Sequence, residues 1–145
     1  MHVQGGLSIS SDTGDLYLED IVADGRIYVE SKTGNLTLSN VISKDLLAAS
    51  TLMGSIGLRD TNAVTMELAT QYGEVRARQI TAESDIYIYR YFGDISCQLQ
   101  DKANAYTVHC NSIHGSTNVP DADGNGDKRL DIESRIGDIA VAFAL

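Results

Sequence analysis

Asp121, Asp123, Asn125 and Asp127 put an oxygen-bearing side chain at every second position of a short acidic segment, with Gly126 at its sixth position. That is how a calcium-binding loop opens, since a hard cation takes carboxylate and amide oxygens at this spacing. Such a loop closes on a bidentate acid at its twelfth position, which here is Ile132, with Glu133 one residue late. The segment also follows Pro120 and has the Gly, Asn and Asp content of a solvated connection. Calcium there is expected to bind more weakly than about 0.1 mM. No other cofactor is expected.

Catalytic chemistry finds little support. His2, His109 and His114 are not set with acids or cysteines at ligand or triad spacing, and no serine lies in a nucleophile elbow. Glu74 and Asp94 could sit on adjacent layers as paired carboxylates. Both, however, directly follow a glycine at a position that holds Asp, Asn or Ser elsewhere, so turn chemistry explains them equally well. The chain is therefore expected not to be an enzyme. Tyr87, Tyr89 and Tyr91 alternate along one strand and Tyr28 shares the column of Tyr87. They form a candidate binding surface, because exposed tyrosines stack on sugars or anchor partners. Their strand propensity is the competing explanation. Cys97 and Cys110 replace aliphatic residues of other repeats and read as buried thiols, with a disulfide across one coil as the alternative.

The elements that position these residues follow from a repeat. Gly14, Gly34, Gly54, Gly73, Gly93, Gly115 and Gly137 recur at intervals of 20, 20, 19, 20, 22 and 22 residues. Two positions after each stand Leu16, Leu36, Ile56, Val75, Ile95, Thr117 and Ile139, and four after stand Leu18, Leu38, Leu58, Ala77, Cys97, Val119 and Val141. Seven and five positions before each glycine, two further columns are almost entirely apolar, from Leu7 and Ile9 to Leu130 and Ile132. Apolar side chains at period two define strands, and a fixed period near 20 defines units that bury a core only by stacking. The prediction is an all-β, single-domain parallel β-solenoid over residues 1–145: about seven coils, two short strands per coil, right-handed. At about 4.8 Å per coil the rod would be roughly 34 Å long, each coil stacked on the one before. One corner carries the glycine; the other holds the small residues Ala23, Ser43, Ala63, Ala82 and Ala103.

Eleven basic and twenty acidic residues give a net charge of −9. Such a surface repels phosphate backbones and anionic lipid heads, so nucleic-acid and membrane-surface binding are not expected. No run is long and apolar enough to insert into a bilayer. Phe143, in the apolar close Ala142-Phe143-Ala144-Leu145, is expected to cap the final coil. The first coil has no equivalent, so weak self-association through it is expected. The chain reads as the C-terminal part of a longer protein.

Units such as Thr13-Gly14-Asp15-Leu16-Tyr17-Leu18 and Gly93-Asp94-Ile95-Ser96-Cys97 resemble the DUF4097 domain, an adhesin-like bacterial β-solenoid family, as do Gly126-Asp127-Lys128 and the stretch from Leu130 to Val141. The likeness spans Gly6 to Val141. It implies an extracytoplasmic or envelope-associated, non-enzymatic domain that meets a protein or glycan at the cell surface. Two other classes remain open: a calcium-assisted solenoid that binds or cleaves polysaccharide, and a polymerising cytoskeletal solenoid.

Overall fold

A computed structural model describes residues 2–102, 106–117 and 128–144, and every regular element among them is a strand. In chain order these are β1 (His2–Val3), β2 (Leu7–Thr13), β3 (Leu16–Ala23), β4 (Ile27–Thr33), β5 (Leu36–Ser43), β6 (Leu46–Met53), β7 (Ile56–Arg59) and β8 (Asn62–Ala63). They continue as β9 (Thr65–Tyr72), β10 (Val75–Ala82), β11 (Asp85–Phe92), β12 (Ile95–Lys102), β13 (Tyr106–His114), β14 (Lys128–Ile136) and β15 (Ile139–Ala144). All pair in parallel and form two sheets, one in the order β1-β3-β5-β7-β10-β12-β15 with β8 against β5 and β10, the other β2-β4-β6-β9-β11-β14-β13. This is the β-solenoid that the period predicts, with about six full turns.

Alternation places the core. Ile27, Leu47, Met66, Ile86 and Leu130 form one inward column of the second sheet, facing Leu36, Ile56, Val75, Ile95 and Ile139 of the first, and all are buried. The intervening residues, such as Tyr28 and Glu30, face solvent.

Each glycine corner is a ladder from coil to coil. At Gly54 φ is 154°, and an added Cβ would overlap the carbonyl of Gly34. Gly115 lacks a positive φ, yet a Cβ there would overlap the carbonyl of Gly137. Close backbone approach therefore requires glycine along this corner as much as conformation does. The next position is a ladder of side-chain acceptors: the Asn35 backbone N–H donates to Asp15 Oδ1 at 2.8 Å and the Ser55 backbone N–H to Asn35 Oδ1 at 2.9 Å. Just inside the corner, Thr51 and Thr70 hydroxyls donate to the carbonyls of Gly34 and Gly54 at 3.1 and 3.0 Å. Arg90 takes the same column and donates to the carbonyls of Phe92 and Asp94.

The small residues Ala23, Ser43, Ala63 and Ala82 are buried at strand ends, as the second corner requires; Ala103 lies outside the described residues. A further bend was not anticipated. Asp20, Asn40, Asp60 and Gln79, each six residues after its glycine, adopt φ of 50–55°. Asn and Asp tolerate this left-handed conformation better than most side chains, which makes the Asx column its sequence signal. At the same offset the chain later has Leu99 and Phe143, and there the β10–β12 register slips, with Ala77 opposite Cys97 but Ile80 opposite Leu99.

The expectation that each coil stacks on the preceding one fails at the end of the rod. β14 pairs with β11 on one side and β13 on the other, while β15 pairs with β12 and Thr117 bridges to Ile139. The last coil in sequence is thus inserted beneath the one before it. The Asp138 amide accordingly donates to Asp94 Oδ1, 44 residues away, and the Ser116 amide to Asp138 Oδ1. Burial accounts for the order. In the four core columns the inserted coil has Leu130, Ile132, Ile139 and Val141, whereas its neighbour has Val108, Cys110, Thr117 and Val119, so the coil with the larger aliphatic side chains lies inside and the one carrying Cys110 and Thr117 lies at the end. Phe143 consequently does not cap the rod. It packs in the inserted layer, half-buried, 6.1 Å from the ring of Tyr106 above it.

Candidate functional site

The outward side chains of the second sheet form rows across the coils. Register aligns Tyr28, Ala48, Glu67, Tyr87, Asp131 and His109 in one row, and Glu30, Ser50, Ala69, Tyr89, Glu133 and Asn111 in the next. The small residues Ser50 and Ala69 leave a depression between the strands carrying Glu30 and Tyr89, which are three strand spacings or about 14 Å apart. An open groove of about 480 Å³ lies there, lined by residues including Glu30, Lys32, Leu52, Gln71, Tyr89 and Tyr91.

Two of the four candidate tyrosines therefore meet at a groove. Tyr89 is 52% exposed and Tyr91 39% exposed. Tyr91 is held from several sides: its ring is 4.7 Å from Phe92 and 6.4 Å from Tyr72, and the Arg135 guanidinium lies 4.9 Å from its centroid. Such contacts fix an aromatic in one orientation before any ligand arrives, lowering the ordering cost of binding. The carboxylate of Glu133 beside Tyr89, with burial and Asp131, pushes the phenol above its ordinary range, so it remains a hydrogen-bond donor at neutral and mildly alkaline pH. Tyr28 and Tyr87 are placed apart from this groove. Tyr28 accepts a hydrogen bond from Arg26 at 3.3 Å, and Tyr87 donates to Asp85 at 3.2 Å.

Leu52, Gln71 and Arg135 join the face although no motif marks them. Their columns are legible from the repeat, but the placement of Arg135 depends on the inserted β14.

The carboxylates considered for acid–base chemistry have structural partners. Glu74 pairs with Arg76 at 2.9 Å, and Asp94 Oδ1 accepts the Asp138 amide. Asp121, Asp123, Asn125 and Asp127 lie outside the described residues. Cys97 and Cys110 are buried thiols, and burial, with Cys110 nearby, pushes the Cys97 thiol up to about 12.

Parallel coils, a glycine corner and flat outer faces define a β-solenoid scaffold. Residues 3–142 match the family described as Toastrack DUF4097, and the chain belongs to that family. Neither the curated proteins nor the solved structures yield a match.

Proposed function

We propose that this chain is a non-enzymatic binding domain displayed on the outer side of a cell envelope, where the second sheet's face holds an extended glycan. The observation that carries this reading is the open groove across four coils, with the oriented ring of Tyr91 and the exposed ring of Tyr89 at one side. Sugar rings present apolar faces that stack on tyrosine and hydroxyls that pair with groups such as Ser50, Glu30 and Gln71. An open groove suits a chain passing through better than a small molecule engulfed by the site. The net charge of −9 favours neutral or cationic polymers over anionic ones.

A glycan array probed with the wild-type chain and with Tyr89→Ala/Tyr91→Ala tests the reading. Both side chains face outward, so the double variant should keep its circular dichroism. Neutral or amino-sugar ligands bound by the wild type and lost by the variant are the expected result. Absence of glycan binding, or an identical pattern for both proteins, would refute it.

A further inference from the structure

His109, Asp131 and Glu133 are 22 and 24 residues apart in sequence, and nothing in their spacing marks them as a set. The insertion of β14 beside β13 brings them together. His109 stands opposite Asp131, and Glu133 follows two residues later on the same outward face. One ligand atom from each lies within 4.8 Å of the others. Sequence spacing gave no such grouping for His109, and the fold supplies it.

A second observation concerns a single atom. Oδ1 of Asp131 is shielded from solvent and has no hydrogen-bond partner. A carboxylate oxygen withdrawn from water without a donor is costly, and a cation is one of the few groups that can satisfy it. Glu133 stands two residues along the same strand and adds a second carboxylate, between the exposed Arg129 and Arg135 at the flanking outward positions.

We propose that His109, Asp131 and Glu133 form a binding site for a divalent transition-metal ion of the zinc type, which clamps the end strand β13 to the inserted strand β14. Imidazole nitrogen with two carboxylate oxygens is a donor set for zinc and its neighbours, whereas calcium and magnesium favour all-oxygen shells. Ligand atoms held about 2.1 Å from one ion lie no more than about 4.2 Å apart, so a set within 4.8 Å closes with small side-chain adjustments. Water fills the remaining coordination positions on this exposed face. The mechanical effect follows from topology: among the described residues the ladder of β13 runs only to β14, and a metal bridging the two strands adds a second tie to this end strand of the second sheet. The site adjoins the groove, since Glu133 and Asp131 also act on Tyr89, but its argument does not use the glycan reading.

The test uses the untagged chain, with zinc and calcium ions as probes. Calorimetric titration is expected to show one zinc per chain, with affinity reduced about tenfold or more in His109→Ala and in Glu133→Gln, and no displacement by millimolar calcium. Zinc should raise the melting temperature of the wild type and slow hydrogen exchange in 106–114, with both effects lost in His109→Ala. Circular dichroism of the metal-free variants separates loss of the site from loss of the fold. His109→Ala and Glu133→Gln binding zinc as the wild type does would place the ion elsewhere, at the cysteines or His2, and overturn the proposal. Absence of saturable zinc binding, or calcium binding as tight as zinc, would do the same.

Discussion

At Gly54 two constraints coincide, a φ of 154° and the carbonyl of Gly34 where a side chain would begin. Gly54→Val must therefore strain its own backbone and push the neighbouring coil away, at a cost of at least about 1–3 kcal/mol. Thr37 on an outward column meets neither constraint. Thermal melts should show Gly54→Val lowered by roughly 5–10 °C and Thr37→Val nearly unchanged; equal shifts would contradict the glycine ladder. The thiols yield a second residue-scale prediction. Cys97 stays protonated in the fold up to about pH 12, whereas an ordinary thiol ionises near 9.0. The folded state therefore holds its proton more tightly, and this contribution to stability is complete below pH 9 and lost as pH rises from 9 to 12. Ellman's reagent should titrate both cysteines only after denaturation, without reductant. Fast reaction of the native chain at pH 8, or no thiol after denaturation, would contradict this.

Strands and corners were largely legible because translation-equivalent coils reuse one code. Leu36, Ile56 and Val75 face inward for the same reason in successive layers. The left-handed bend at Asp20, Asn40 and Asp60 was also written in the sequence, as an Asx column. Coil order was not, because a parallel ladder accepts any neighbour with matching alternation, and β11 can pair equally well with β13 or β14 by pattern alone. The larger aliphatic side chains of the inserted unit favour the interior for it, and Cys110 and Thr117 in its neighbour were the visible traces. The candidate site was legible to the same degree: Tyr89 and Tyr91 stand out by type, while Arg135 joins them only through coil order. Cross-linking checks that order. In a Cys97→Ala/Cys110→Ala background, Tyr89→Cys with Glu133→Cys should oxidise readily, because the two residues are directly opposed on paired strands. Tyr89→Cys with Asn111→Cys should not, since β14 separates them. The reverse result would restore sequential stacking.

The rod as a whole has open edges. β2 pairs only with β4 among the described residues, and Leu7, Ile9 and Leu16 near it are only half-buried. His2–Val3 covers only the far end of β3, pairing with Val22 and Ala23. An unpaired strand edge beside incompletely buried aliphatics is a template for another chain. The charge of −9 opposes a second copy, so self-association should be weak and strengthen with salt as that repulsion is screened. Sedimentation velocity over a concentration series at low and high salt measures this. A strict monomer at millimolar concentration in high salt would show that the first coil is adequately closed by its own residues.

The inserted last coil also bears on how the molecule is made. A rod whose layers follow sequence order can grow layer by layer as the chain leaves the ribosome. Here β13 is synthesised before β14, the strand it finally pairs with. Its interim choices are to wait unpaired or to dock on β11 in a place it must later give up. Completion of the fold is thereby tied to completion of the chain through residue 144. A product that stalls between residues 117 and 128 has made β13 without the strand it finally pairs with.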